Sequence, residues 1–139
     1  MRKQLDIRVK DNFLNDRDFI FLKELFFHDN TTWKVNWKIA DTLEVSKEDN
    51  YDDWFLGHHI YDENKPVSSS FNDVKTKLIN KIAQLEQADF AALTRIKVNF
   101  YPHTSVVNEH KPHKDNVQAR RWRGAIYCLN TCDGYTLFE

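Results

Sequence analysis

The sequence predicts an α+β fold in one domain that spans residues 1–139. Its length of 139 residues is typical of a single domain. Hydrophobic residues make up 41% of the chain and aromatic residues 14%, which supports a packed core and excludes a chain that is disordered throughout. Segments with helical periodicity precede most of the short strand-like segments, and this order favours an α+β fold or a β-sandwich covered by helices.

The N-terminal segment predicts a strand followed by a helix. Apolar residues alternate with charged ones over residues 5–9, which is the pattern of a half-buried strand. A broad apolar stripe with helical spacing then predicts a helix over residues 16–28. Asn15 or Asp16 would cap this helix, because either side chain can accept a hydrogen bond from a free backbone N–H of the first turn.

The middle of the chain predicts two strands and a second helix. Alternation of apolar and polar residues indicates a strand over residues 33–39, and a second strand is expected over residues 54–61. The next helix is expected to begin after Ser70 and to end near Gln87. Ser70 and Asp73 have the spacing of a capping box, in which each side chain binds a backbone N–H near the other residue.

The C-terminal third predicts three further strands. Residues 96–101 alternate between apolar and polar side chains, and Pro102 ends this strand because proline cannot donate a ladder hydrogen bond. A second strand is expected over residues 122–130. Asp133-Gly134 is a strong turn signal before the third strand, over residues 135–138.

The charge balance and the cysteine count restrict the classes of partner. Twenty Lys and Arg residues oppose 21 Asp and Glu residues, so we expect no nucleic-acid partner. No apolar run reaches the roughly 18 residues of a membrane span, and the first residues lack the apolar stretch of a signal peptide, so we expect no membrane partner. Cys128 and Cys132 are too few for a disulfide framework, which predicts a reducing, cytoplasmic location.

The candidate chemistry is concentrated at His113-Lys114-Asp115. On a strand, residues two apart project from the same face, roughly 6.6 Å apart. The His113 imidazole and the Asp115 carboxylate could therefore converge on one metal ion. Two histidines and one carboxylate on one face of an octahedron is the ligand set of non-haem Fe(II) oxygenases. The H-x-D spacing is common by chance, so by itself it fits a surface histidine beside an aspartate better than a metal site.

Four segments around this motif carry a family resemblance: Val98–Ser105, His113–Asp115, Ala125–Thr131 and Gly134–Glu139. Together they resemble the 2-oxoglutarate/Fe(II) dioxygenases of the prolyl 4-hydroxylase type, in particular their small marine viral and bacterial relatives. The resemblance implies a double-stranded β-helix (jelly roll) with N-terminal helices packed on its major sheet. Because the chain ends at Glu139, we expect this jelly roll to be incomplete, with its last strands missing.

The resemblance also implies two groups of site residues. His113 and Asp115 would be the first two protein ligands of Fe(II). Four residues would line the pocket of the cosubstrate 2-oxoglutarate: Tyr101, Ile126, Cys128 and Thr136. Many relatives have a tyrosine at the position of Cys128, and a thiol is a weaker hydrogen-bond donor than the tyrosine hydroxyl. Thr136 could supply a hydroxyl in its place.

Two further family residues are not found where the family has them. A third ligand, a histidine, lies several tens of residues beyond the H-x-D motif in the family, and an Arg or Lys that pairs with 2-oxoglutarate follows it. His103 or His110 could in principle replace the missing histidine. We therefore expect this chain alone to bind Fe(II) and 2-oxoglutarate weakly and to show little or no hydroxylase turnover. The alternative is a non-catalytic binding module that keeps the oxygenase scaffold.

The partner is expected to be a protein or small-molecule substrate, with peptidyl proline, another protein side chain and a small molecule all open. A jelly roll without its last strands would expose unpaired backbone groups and apolar side chains, including Ile126, Leu137 and Phe138. Such edges pair readily with a second copy of the same chain. We therefore expect a homodimer formed through the C-terminal strands.

Overall fold

The computed structural model describes residues 6–37, 54–87, 92–107, 109–110, 113 and 123–138. Helices and strands are both present, and the strands form one four-stranded antiparallel sheet. The predicted α+β class is therefore confirmed. A jelly roll has about eight strands, and that finer assignment stays a prediction. No helix among the described residues is both long enough and apolar enough to cross a membrane.

The first helix matches its prediction closely. Helix α1 covers Asp16–Phe27, and Asn15 is its N-cap, because the Asn15 side chain accepts a hydrogen bond from the backbone N–H of Asp18 at 2.9 Å. Leu22 and Phe26, one helical turn apart, are the buried residues of α1. Residues 6–10 form no strand, so the strand predicted over residues 5–9 is wrong for its described part.

The second helical region is continuous but changes its winding. It comprises α2 (Phe71–Val74), a π-helical turn (Lys75–Ile79) and α3 (Asn80–Glu86). The predicted extent is confirmed. The predicted capping box is wrong, because Ser70 makes no side-chain cap. The Ser70 hydroxyl instead shares a 2.8 Å hydrogen bond with the hydroxyl of Ser68, which the preceding turn brings closer than the helix N–H groups.

Four strands build the sheet: β1 (Lys34–Asn36), β2 (Phe55–Asp62), β3 (Lys65–Pro66) and β4 (Ile96–Phe100). All three other strands pair antiparallel with β2. Gly57 pairs with both Lys34 and Asn99, so β1 and β4 lie on opposite edges of β2. The strands predicted over residues 54–61 and 96–101 are confirmed, and the described part of the strand predicted over residues 33–39 is shorter than expected.

The turn between β2 and β3 explains their tight pairing. Glu63 and Asn64 both have positive φ, at 48° and 62°. Two consecutive residues in this left-handed region form the type of two-residue turn whose twist matches that of the flanking strands. The turn was not part of the sequence prediction, because neither residue is a glycine.

The core lies between the helices and one face of the sheet. Its buried residues share contacts across three elements and the segment before α1: Leu14, Leu22, Phe26, Ile60 and Val74. Ile96 and Val98 of β4 pack against this cluster from the sheet side. The helices therefore cover one face of the sheet, as a covering layer was expected to do.

The described part of the C-terminal segment, residues 123–138, contains neither helix nor strand. The strands predicted over residues 122–130 and 135–138 are therefore wrong for their described residues. Alternating apolar residues become a strand only when a neighbouring edge supplies backbone hydrogen bonds. The segment is instead held by side chains, since Tyr127 and Leu129 pack against the core.

Candidate functional site

The candidate site is built on the sheet face opposite the helices. On β2, His58 pairs with Val98, which packs against the core, so Phe55 and Gly57 face the other way because successive residues of a strand point to opposite faces. Asn99 pairs with Gly57 and therefore shares this second face, which we call the open face. Tyr101, two residues after Asn99, projects from the same side and stacks on Phe55.

Three aromatic rings are stacked in sequence on the open face. The rings of Phe55 and Tyr101 lie 5.4 Å apart with an angle of 29° between their planes. The rings of Tyr101 and His110 are also stacked, with their centroids 6.2 Å apart and an angle of 28° between their planes. Phe55 is only 9% exposed, so the stack joins a buried residue of β2 to the loop after β4.

Asn99 adds an unsatisfied polar atom beside this stack. Its amide Nδ2 donates a hydrogen bond to the Tyr101 hydroxyl oxygen at 3.2 Å. Its Oδ1 is buried and has no hydrogen-bond partner among the described residues. A buried polar atom without a partner costs about 1–3 kcal/mol, so such atoms are found where a ligand or water binds. Sequence reasoning missed Asn99, although its position two residues before Tyr101 places both side chains on one strand face.

The predicted metal ligands are only partly described. His113 is exposed, and Asp115 lies outside the described residues. His110 precedes His113 by three residues, which span at most about 11 Å of chain. The stack of His110 on Tyr101 therefore keeps the start of the H-x-D motif near the predicted cosubstrate tyrosine. No group of three His, Cys, Asp or Glu side chains that could hold a metal ion occurs within the described ranges.

The structure does not bring the other predicted pocket residues to the open face. Ile126 is 68% exposed, and Cys128 and Thr136 are exposed as well. The alternate residues Tyr127 and Leu129 are the ones that pack against the core. The pocket role of Ile126 and Cys128 stays a prediction, and the structure turns Tyr127 and Leu129 towards the core in their place. The physical reason is that Phe13 meets the Tyr127 ring edge to face, at 6.3 Å and 62°.

Burial changes the acidity of one of these inward-facing residues. The partial burial of Tyr127 raises the pKa of its phenol above the ordinary value, because the charged form would lose its hydration. Tyr127 is therefore a neutral packing residue at physiological pH. The sequence pattern did not predict this, because both alternating pairs, Ile126 with Cys128 and Tyr127 with Leu129, are apolar enough to face a core.

A contact between two distant segments lies next to the aromatic stack. The hydroxyl of Tyr135 donates a hydrogen bond to the Glu109 carboxylate. This hydrogen bond and the negative charge of Glu109 raise the pKa of Tyr135, because both favour the neutral phenol over its anion. No local sequence signal predicts the pair, since 26 residues separate its members.

A second group of polar residues surrounds His58, on the helix-covered side. The His58 ring contacts the Thr32 carbonyl oxygen through Nδ1 at 2.9 Å and the Ser68 hydroxyl through Nε2 at 3.0 Å. Because a carbonyl only accepts, Nδ1 carries the proton and Nε2 accepts from Ser68 in the neutral ring. Ser68 also accepts from the backbone N–H of Ser70 at 3.3 Å. The group joins β2 to the turn before α2 and is satisfied internally.

A shallow cleft of about 390 Å³ lies beside the β2–β3 turn. Its lining combines both signs of charge and comprises Lys34, His59, Asp62, Glu63, Lys65 and Val67. His59 Nδ1 lies 2.9 Å from an Asp62 oxygen, and this hydrogen bond lowers the pKa of the Asp62 carboxyl. The mixture of charges favours no single class of ligand.

Comparison of the chain with protein-family models, with curated proteins and with solved structures gives no match. Functional interpretation therefore depends on the motifs of the sequence and on the geometry around Tyr101 and His110.

Proposed function

We propose that the chain provides the first two iron ligands and part of the cosubstrate pocket of a 2-oxoglutarate- and Fe(II)-dependent oxygenase, which hydroxylates a C–H bond of its substrate. The supporting observation is the stack of His110 on Tyr101. It joins the loop that leads to His113 to the residue expected to line the 2-oxoglutarate pocket. In this proposal the four strands belong to an incomplete jelly roll.

The donor types suit the proposed metal. Imidazole nitrogen and carboxylate oxygen, from His113 and Asp115, are two of the three donors that non-haem Fe(II) sites use. When bound, Fe(II) would activate O2, and the oxidative decarboxylation of 2-oxoglutarate would supply the electrons. His103 and His110 remain candidates for a third ligand within this chain.

The cosubstrate would bind at the polar end of the open face. Tyr101 presents a hydroxyl there, and the buried Oδ1 of Asn99 has no partner within the part of the chain that the structure describes. A half-turn of the Asn99 amide exchanges its oxygen and nitrogen, so that Oδ1 accepts from the Tyr101 hydroxyl and Nδ2 becomes a donor at the buried position that Oδ1 held. That arrangement suits a carboxylate of 2-oxoglutarate. Ile126, Cys128 and Thr136 are less favourable candidates for this pocket, because all three are exposed.

Metal binding tests the proposal directly. Calorimetric titration with Ni(II), as a stable substitute for Fe(II), should show weak binding that His113→Ala and Asp115→Ala both abolish. His28→Ala is the matched control, because His28 is exposed and lies at the far end of α1. Equal binding by all three variants and the wild type would show that the H-x-D motif is not a metal site.

Turnover is measured separately from binding. With Fe(II), 2-oxoglutarate and O2, we expect the chain to release succinate slowly, at a rate close to that of His113→Ala. Succinate release at an ordinary enzymatic rate, lost on His113→Ala, would instead reveal a complete ligand set. His103→Ala and His110→Ala would then identify the third ligand.

The alternative function is a binding module that has kept the scaffold without the chemistry. One observation favours it: several large apolar side chains of the C-terminal segment are exposed, among them Ile126, Tyr135, Leu137 and Phe138. Exposed apolar groups of this kind are typical of interaction surfaces. Under this alternative the partner is a second copy of the chain. Light scattering after size exclusion would then give twice the 16.6 kDa mass of one chain.

We also propose a cytoplasmic location. Cys128 and Cys132 are both free and exposed. Free, accessible thiols persist in reducing compartments and are oxidised elsewhere. Recovery of the protein from cells with Cys128 and Cys132 joined to each other or to a second chain would contradict this assignment.

A further inference from the structure

The loop between β4 and His113 has no regular secondary structure at its described residues, 102–107 and 109–110. A backbone without ladder or helical hydrogen bonds depends on side-chain contacts for its position. One local contact is present near its beginning, where the Thr104 hydroxyl donates to the Val106 carbonyl at 2.6 Å. Contacts with the rest of the molecule therefore determine the position of the loop backbone.

Two adjacent residues of this loop contact two different parts of the chain. His110 stacks on Tyr101, which itself stacks on the buried Phe55 of β2. Glu109 accepts the hydrogen bond of Tyr135 in the C-terminal segment. The loop is therefore held on one side by the sheet and on the other by a segment 26 residues further along the chain.

We propose that Glu109 and His110 are positioning residues, which through their contacts with Tyr135 and Tyr101 hold the segment that carries His113. We call these two contacts the loop clamp. Its consequence for metal binding rests on the proposed function, whereas the clamp itself does not. Three residues of chain reach at most about 11 Å, so fixing His110 keeps the backbone of His113 within that distance of it.

The C-terminal segment is itself anchored, which makes it a suitable second side of the clamp. Tyr127 and Leu129 pack against the core. Arg123 also donates to the Glu86 carboxylate of α3 at 3.2 Å. These contacts already restrict the C-terminal segment, so the hydrogen bond from Tyr135 has to offset a smaller loss of conformational entropy.

Hydrogen exchange of the metal-free protein tests the clamp by itself. Tyr135→Phe removes the donor hydroxyl and keeps the ring. We expect the backbone amides of Glu109, His110 and His113 to exchange about threefold faster, which is the typical effect of one exposed charge-assisted contact. Tyr61→Phe is the matched control, because the Tyr61 ring stacks on Phe71, away from the loop. Equal exchange in Tyr135→Phe and the wild type would overturn the inference.

Nickel affinity tests the consequence for the predicted ligand. Tyr135→Phe and Glu109→Ala should each weaken Ni(II) binding about threefold, and the double variant should weaken it by the same factor, because each change removes one partner of the same contact. Glu63→Gln, in the β2–β3 turn, is the charge-matched control and should leave affinity unchanged. Additive effects in the double variant would show that the two substitutions act separately and not through the contact between Glu109 and Tyr135.

His110 needs a variant that separates positioning from metal ligation. His110→Ala should weaken Ni(II) binding, and His110→Phe should restore most of it, because phenylalanine keeps a ring on Tyr101 and has no ligating nitrogen. Equal loss in both variants would overturn the positioning role and identify the imidazole as a ligand. A wild type that binds no Ni(II) would overturn the proposed function, and hydrogen exchange would then decide the clamp alone.

Discussion

The helix–sheet region and the C-terminal segment are stabilised in different ways. In the first, backbone ladders join β1, β3 and β4 to β2, and buried side chains such as Leu22 and Ile60 fill the space under the helices. In the second, the described residues contain no ladder, and single side chains such as Tyr127 and Arg123 make the contacts. The first region therefore supplies a rigid scaffold, and the second depends on it.

The difference also separates stability from chemistry. Most of the described residues of the proposed site lie after β4 and outside helices and strands, whereas Phe55 and Asn99 belong to strands. Binding residues are commonly placed on loops that a rigid scaffold positions. We therefore expect core substitutions to change the free energy of unfolding, and substitutions of His110 and His113 to change metal affinity with little effect on stability.

The largest expected effect is a loss of core packing. Leu22→Ala, at a position that is 1% exposed, should reduce the free energy of unfolding by about 2–5 kcal/mol, because it removes buried methyl groups and leaves a cavity. Urea denaturation measures the change. Leu137→Ala is the same substitution at a position that is 68% exposed, and it should change stability by less than about 0.5 kcal/mol.

The Leu137 control also tests the alternative function. A loss of stability in Leu137→Ala that approaches the loss in Leu22→Ala, and that grows with protein concentration, would mean that the C-terminal segment is buried in a second copy. The difference in burial between the helix–sheet region and the C-terminal segment would then apply only to the monomer.

An intermediate effect is expected where β1 and β2 approach closely. A Cβ atom at Gly57 would lie 2.7 Å from the Asn36 Nδ2 atom, so Gly57→Ala forces the Asn36 side chain to move. That movement breaks the hydrogen bond from Asn36 Nδ2 to the Lys34 carbonyl, which is 3.1 Å long. We expect a loss of about 1 kcal/mol. Asn36→Ala should remove most of the penalty of Gly57→Ala, and an unchanged penalty would locate the strain elsewhere.

The smallest expected effect is a dependence of stability on acid pH through Asp18. Lys77 donates to Asp18 at 3.1 Å and joins the π-helical turn to α1. The hydrogen bonds from Lys77 and then Asn15 lower the pKa of Asp18 in the folded state. A lowered pKa stabilises the fold above the unfolded-state value, near 3.9, and this contribution is lost as the pH falls through the folded-state value.

Thermal unfolding between pH 2 and pH 7 measures this contribution. Asp18→Asn should lower the melting temperature at neutral pH and flatten its decline in acid. Asp16→Asn is the control, because Asp16 lies in the same helical turn and has no ion pair within the described part of the chain. Identical acid profiles for the two variants would mean that the Lys77 contact contributes nothing measurable.

The sequence predicted the elements that depend on local pattern. Helix α1, its Asn15 cap, strand β2 and strand β4 follow from side-chain spacing and capping chemistry, which neighbouring residues determine by themselves. Tyr101 was placed correctly at the end of β4 for the same reason. The position of Asp115 cannot be compared, because it lies outside the described residues.

Tertiary structure decided every feature that needs a partner from a distant part of the chain. The inward side of residues 126–129 does not follow from the sequence, because Ile126 and Tyr127 are both apolar, and contacts with distant residues such as Phe13 leave Tyr127 partly buried and Ile126 exposed. The loop clamp was not predicted because Glu109 and Tyr135 meet only after the chain folds. The sequence by itself determined the α+β class, the helix boundaries and the H-x-D motif, because each is a local pattern. Contacts between distant residues decided the sheet partners, the buried faces and the surroundings of Tyr101.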